Sequence, residues 1–270
     1  MRRVQLFEFE DFHWFPSSFR STMTKIIVVF HQLLGTKEVI ANLLSEIRKN
    51  YGYNRIVDMG SGSGGAMPMV IEHLNKVNKG PKVELLLTDL HPNKKFIDQF
   101  NGKNQDYISY SETPLDAKNL SQAPKGMKTM INSFHHMPPF VAREILRTAQ
   151  ENKQAVLIYE MGENVVPVII WGLLLPITLP IVALTAILFV PFVKPLNWKD
   201  ILFTWFIPVV PLFYAWDGQA SAPRIYTFKD IEELLPEKND GYKWEVKHAL
   251  KKNGKKQGYY ILGLPHLPYK

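Results

Sequence analysis

Ile56-Val57-Asp58-Met59-Gly60-Ser61-Gly62-Ser63-Gly64-Gly65 opens as an apolar strand and closes on four glycines within six positions. Glycine accepts positive φ and lets a ligand come close to the main chain. A helix is expected to follow from Pro68 to Val77, with Pro68 tolerated in its first turn. Unbonded N–H groups at the start of such a helix favour a negative group. Strand, tight turn and helix together predict a ligand-binding loop at the end of a buried strand, Arg55–Met59.

The same alternation continues on both sides of that loop. Val39, Ile40, Leu43, Leu44 and Ile47 share one helical face, so residues 37–50 are expected to form an amphipathic helix. Val83–Thr88, Asp106–Tyr110, Met127–Asn132 and Ala155–Tyr159 read as further strands, and Val141–Gln150 as a helix. Strands alternating with helices predict an α/β fold with a parallel sheet covered on both faces. Asp230–Leu235 reads as a short helix. Trp244–Leu250 and Gly258–Leu262 then flank Asn253-Gly254, a hairpin signal. The expected sheet has seven strands and ends in an antiparallel pair.

The chain has 270 residues, of which 46% are hydrophobic and 21% charged. Such a composition fills a core and excludes a disordered chain. Thirty-two basic against 25 acidic residues give a net charge of +7, which favours an anionic partner without choosing one. Cysteine is absent, which excludes disulfides, thiolate metal sites and a cysteine nucleophile. It fits a reducing compartment. Glu8, Glu10 and Asp11 follow Met1-Arg2-Arg3 where a signal peptide would carry an apolar region, so a cytoplasmic location is expected.

The glycine loop fits two spacings. Gly60, Gly62 and Gly65 match G-x-G-x-x-G, a dinucleotide pattern. Asp58, Gly60, Gly62 and Gly64 match D-x-G-x-G-x-G. A carboxylate just ahead of the loop would repel a pyrophosphate but suits the cationic amino-acid end of S-adenosylmethionine. We therefore expect S-adenosylmethionine as cofactor.

With these residues the chain resembles the class I S-adenosylmethionine-dependent methyltransferases, over about residues 37–160 and 224–264. Leu85-Leu86-Leu87-Thr88-Asp89 is similar to their second strand and its terminal acid. Leu115-Asp116-Ala117 is similar to the pair that holds the adenine, and Met130-Ile131-Asn132-Ser133-Phe134-His135-His136 to the fourth-strand motif beneath the reactive methyl. The resemblance implies a Rossmann-like sheet and a cofactor held by Asp58, Gly60, Ser61, Gly62, Gly64, Asp89, Asp116, Ala117 and Asn132. It also implies that Asp89 accepts from the ribose hydroxyls. The aromatic segment around Phe12-His13-Trp14-Phe15 is similar in position to the lids of small-molecule members. No Asn-Pro-Pro-Tyr type motif follows the fourth strand, which argues against amide or adenine methylation.

Methyl transfer is an in-line displacement in which the protein orients the nucleophile and keeps out water. A weakly acidic oxygen or carbon also needs a base. His136, beyond a strand end, and His13 are the candidate catalytic groups. Trp14, His135 and Glu160 are candidates for contacting substrate. No metal-ligand spacing is present, so no metal is expected. Lys247, Lys251, Lys252, Lys255 and Lys256 crowd the terminal hairpin, as a solvated turn or as an anion-facing surface.

Val165–Val193 contains no charged residue, and Lys194, Lys199 and Asp200 are the only charges in the whole of Val165–Trp216. A membrane helix needs about 20 apolar residues. Both ends of Val165–Trp216 return to one sheet, which leaves a two-helix hairpin or a segment that dips into a membrane and returns. Pro167, Pro176, Pro180, Pro191, Pro208 and Pro211 are expected to break regular helices and favour the dipping form. Trp171, Trp198, Trp205 and Trp216 suit a headgroup boundary.

Four segments are therefore expected: an N-terminal lid (1–35), a cofactor-binding core (36–164), a hydrophobic insertion (165–216) and the rest of the core (217–270). The function expected is methyl transfer to a lipid or other hydrophobic small molecule at the cytoplasmic face of a membrane, with no nucleic-acid partner. The alternatives are a soluble methyltransferase of an aromatic or polyketide-like metabolite, with the insertion as lid, and a non-catalytic membrane adaptor.

Overall fold

The computed structural model describes residues 1–78, 80–102 and 106–266. In chain order its elements are α1 (Ser17–Leu34), α2 (Thr36–Tyr51), β1 (Arg55–Met59), α3 (Met67–Val77), β2 (Glu84–Thr88), α4 (Lys94–Asn101), β3 (Ile108–Tyr110) and β4 (Met127–Ile131). They continue as α5 (Pro139–Glu151), β5 (Val156–Glu160), α6 (Val168–Phe189), α7 (Trp198–Ile201), α8 (Val209–Arg224), α9 (Phe228–Leu234), β6 (Tyr242–Leu250) and β7 (Lys256–Pro265).

The chain divides into two bodies. The first comprises Met1–Leu34 with Gly162–Asp230, the second Gly35–Met161 with Ile231–Lys270. The second holds a seven-stranded sheet in the order β3-β2-β1-β4-β5-β7-β6. β1 to β5 are parallel, and β7 runs antiparallel to both β5 and β6. This is the expected architecture, with strand edges moved by at most three residues.

The helices form where the apolar spacing places them. Val39, Ile40, Leu44 and Ile47 of α2 are buried, and Gly52, at φ 65°, caps its end by donating to Arg48 O. Val70 and Ile71 of α3 and Phe100 of α4 join them in one core with Ile56, Leu85, Leu87 and Leu157 of the sheet. α4 is an element that periodicity does not announce, since its run is short and half polar. Its start is set by Asn93, whose side chain accepts from Lys95 N. Asp106 and Tyr107 lie outside β3. The terminal hairpin closes through Lys251–Lys255, where Lys251 N donates to Lys255 O and Gly254 N to Lys251 O.

The first body departs from the expected division. Residues 1–34 cluster with the hydrophobic segment instead of standing apart as a lid, and residues 217–230 belong with them. The cause is a buried polar network. Arg224 lies 3.1 Å from Glu8 and 2.7 Å from Asp11. Asp217 accepts from Phe9 N and Glu10 N at 2.7 and 3.1 Å. Beside it, Phe15, Met23, Ile26 and Val29 form a core with Ala186, Val190, Val193 and Val210.

The prolines also act differently from expectation. Pro176 and Pro180 lie inside one continuous 22-residue helix, α6. Pro176 sets its ring against the carbonyl of Gly172, a residue without a side chain, and Pro180 meets the carbonyl of Pro176, so the two disruptions share one stretch. Pro167, Pro191 and Pro208 fall at element boundaries, where a missing N–H costs nothing. α7 runs on into a π-helical turn, Leu202–Phe206. By length and composition Val168–Phe192 is sufficient to cross a membrane. Trp198–Phe206 and Val209–Arg224 pass that test only together, and are bent by 83°.

Candidate active site

β1 lies between β2 and β4, so the direction in which the sheet grows reverses at β1 and β4. Open α/β sheets bind ligands outside the strand carboxyl ends at such a point. Asp58 near the end of β1 and the loops following β1, β2, β3 and β4 supply all nine residues singled out for the cofactor.

The glycine loop turns as its composition requires. Gly60, Gly62, Gly64 and Gly65 have φ of 67°, 52°, 106° and 50°. At Gly64 a side chain is excluded twice over, because a Cβ there would also overlap the Phe100 ring. At Gly62 nothing lies within 4 Å of such a Cβ, so the turn's outer side is open.

Asp58 has its partners inside the protein. It is buried, Oδ1 accepting from Thr129 Oγ1 at 2.6 Å and Oδ2 from Ser61 Oγ at 2.7 Å. Burial pushes the carboxyl up to about 7, against the two hydroxyl donors that favour its charge. Thr88 Oγ1 donates to Asp58 O and Ser61 N to Thr88 O, which lash the loop to the end of β2. The carboxyl expected to face the ligand's ammonium group is thus the anchor of the loop.

Asp89, after β2, is half-buried. Its Oδ2 accepts from Gly62 N at 2.9 Å and its Oδ1 from His91 N at 2.8 Å. Leu115 N donates to Asp89 O, which brings the Asp116-Ala117 loop to the same strand end. Asp116 is half-buried and accepts from Lys118 N. Asn132 ends β4 at φ 52°, in the left-handed region, and its Oδ1 accepts from Met161 N at 2.7 Å. Asn132 therefore joins β4 to the end of β5.

Spacing does not reveal that His135 and Glu160 form a pair. His135 donates its backbone N–H to Glu160 Oε1 at 3.0 Å, and its ring Nδ1 lies 2.7 Å from Glu160 Oε2. Both side chains are buried. Nδ1 is the ring nitrogen that faces the carboxylate, so Glu160 fixes the orientation of the ring. The His136 ring lies against that of His135, with centroids 4.3 Å apart and planes tilted by 35°. His13 and Trp14 belong to the first body, in an exposed turn where Trp14 stacks on Phe12.

Four further groups were beyond sequence reasoning. Tyr110 donates its hydroxyl to Gly62 O at 2.7 Å, bracing the loop from β3. Thr129 holds Asp58. Ser63 Oγ and Ser133 Oγ are buried and have no hydrogen-bond partner in the protein. No periodic or motif signal distinguishes them, because Tyr110 and Thr129 act on residues far away in the chain and the burial of the two serine hydroxyls is a product of the fold.

No protein-family model and no curated protein is similar to the chain in sequence. Solved structures are similar in fold. The plantazolicin methyltransferase BpumL in complex with SAH superposes with a TM-score of 0.52 at 12% identity, covering 94% of this chain and 96% of that one. The plantazolicin methyltransferase BamL, in complex with a triazolic desmethylPZN analog and SAH, superposes with a TM-score of 0.50 at 13% identity, covering 92% and 98%. The fold is the methyltransferase fold that the motifs implied.

Proposed function

We propose that this chain transfers a methyl group from S-adenosylmethionine to a lipid or other hydrophobic small molecule at the cytoplasmic face of a membrane. The observation that carries the reading is the open glycine turn, flanked by two orphaned buried hydroxyls, Ser63 Oγ and Ser133 Oγ, and by Asp89. Buried polar groups without partners are costly, and a polar ligand seated on the turn relieves them.

The residues present fit the cofactor. Gly60, Ser61, Gly62 and Gly64 form its cradle, with Asp58 holding that cradle in shape. Asp89 would exchange its bond to Gly62 N for a ribose hydroxyl, and Asp116 with Ala117 would border the adenine. Asn132 would sit beneath the methionine end. When bound, S-adenosylmethionine supplies an electrophilic methyl on a sulfonium. His135 takes the acceptor's proton for an oxygen or carbon nucleophile, and Glu160 fixes its ring and stabilises the imidazolium that results. The pairing with Glu160 favours His135 over His136 or His13 as the base.

Support for an apolar acceptor comes from the uncharged segment and its outward-facing side chains, Ile169, Leu173 and Phe206 each 75% exposed. Support for a small-molecule acceptor comes from the analog in the BamL complex.

Calorimetric titration with S-adenosylmethionine tests the cofactor. Wild type should bind, and Asp89→Ala should bind at least tenfold more weakly. Identical binding by both would remove the site. Mass spectrometry of extracts from cells with and without the protein then seeks an acceptor heavier by one methylene unit. A product among polar metabolites alone would replace the lipid reading with the soluble one. Cofactor binding without any product would leave the adaptor reading.

A further inference from the structure

Within the first body, α6 and the turn that follows it, Val190–Phe192, present one continuous apolar stripe to the outside. Leu173, Ile177, Ile181, Leu184, Leu188 and Phe192 are each more than half exposed, and they recur at steps of four, four, three, four and four. That spacing is a single face of a helix, about 28 Å long. The opposite side of α6 packs on α8 and α1, with Ala186 wholly buried, as is Val190 just beyond the helix. Only 11% of the apolar window of α6 is covered. The stripe continues into the following turn, where Trp198 is 65% and Phe206 75% exposed.

The turn is also positively charged. Lys194 and Lys199 are exposed, and Lys199 Nζ lies 5.6 Å from the centre of the Trp198 ring. Asp200, the one acid in Val165–Trp216, does not offset them. It is buried, pairs with Lys25, accepts from Thr22 Oγ1 at 2.6 Å, and caps α7 through Asn197 N. The exposed face of this segment is therefore apolar along α6 and cationic at its end.

We propose that this face docks on an anionic phospholipid leaflet, with the α6 stripe lying in the interfacial layer and Lys194 and Lys199 at the phosphates. The inference rests on the membrane-surface reading above and names the lipid charge that the surface selects. α6 is apolar on all sides, α8 and α1 cover one of them, and the side left uncovered is the one that would be buried at the headgroup boundary. Most outward apolar side chains of this body lie on α6 and its connector, with Phe7, Phe12 and Trp14 exposed in the N-terminal segment, while α1 exposes Ser17, Gln32 and Leu33 and α8 exposes Leu212 and Gly218. Such one-sidedness suits contact from one side. A spanning bundle would need an apolar surface all round. Tryptophan beside lysine is the side-chain pair that an interface accommodates.

The full chain is floated with vesicles of phosphatidylcholine alone, and of phosphatidylcholine and phosphatidylglycerol in equal parts. Wild type should bind the anionic vesicles and bind them less at high salt. Lys194→Gln with Lys199→Gln should weaken partition about thirtyfold, from roughly 1 kcal/mol per lysine. Leu184→Ser with Leu188→Ser should abolish flotation. Calorimetry with S-adenosylmethionine should be unchanged in every variant, which separates this surface from the cofactor site. Equal binding to both vesicle types, or no binding to either by a protein that binds S-adenosylmethionine, overturns the proposal. So does a concentration-dependent dimer in sedimentation that Leu184→Ser with Leu188→Ser dissociates, since the stripe would then cover a second copy.

Discussion

A carboxyl group as enclosed as that of Asp58 resists ionisation, and this makes the loop's anchor sensitive to pH. Its folded value, about 7, lies above the value near 4 of an exposed aspartate. Between those values the folded chain holds a proton that the unfolded chain has lost. Asp58 therefore contributes stability that is fully present below about pH 4 and is lost as pH rises through about 7. Asp58→Asn keeps the shape and can still bond to Ser61 and Thr129. It should flatten the decline of the thermal midpoint between pH 5 and 7. An unchanged slope would show that the carboxyl is charged throughout. The glycines separate along the same loop. Gly64→Ala meets both a left-handed backbone and the Phe100 ring, so it should cost about 2–4 kcal/mol in urea unfolding. Gly62→Ala meets only the backbone term, about 1 kcal/mol.

At the scale of elements, the terminal segment and α8 form one structural piece. Arg224 is wholly buried between Glu8 and Asp11, and Ser221 Oγ donates to Glu8 Oε1 at 2.9 Å. Removing Arg224 leaves the buried Glu8 without this cation, at a cost of about 3–5 kcal/mol. Arg224→Ala should therefore speed hydrogen exchange at Phe9 and Glu10, whose amides are held by Asp217. Exchange at wild-type rates would mean that Asp217 alone suffices. Most elements of the sheet body were legible, because buried strands and amphipathic helices are written in local periodicity. α1 was not. Its buried face mixes Met23, Ile26 and Val29 with the polar Ser21, Thr22 and His31, and it is ordered by packing on distant residues. α6 is continuous despite Pro176 and Pro180, because the two disruptions fall four residues apart in one stretch of the helix.

For the whole molecule, the two bodies divide the work proposed for them. The sheet body holds every group assigned to the cofactor, and the helical body holds the apolar stripe. S-adenosylmethionine at a hundredfold excess over its dissociation constant should add about 2.7 kcal/mol of stability. That corresponds to a rise of roughly 5–10 °C in Tm for a chain of this size. The rise should survive Leu184→Ser with Leu188→Ser and disappear in Asp89→Ala. Its loss in the stripe variant would mean that the cofactor site depends on that face.

The sequence by itself determined the sheet, the glycine turn, the antiparallel ending and the uncharged segment, since each is a local pattern of polarity and backbone freedom. Only the tertiary structure decided what the polar residues do. Asp58 meets Thr129 across 71 positions, His135 meets Glu160 across 25, and Tyr110 reaches Gly62 across 48. Such bonds depend on strand order and register, which bring distant side chains within 3 Å. No spacing along the chain records them, because a hydrogen bond depends on separation in space alone.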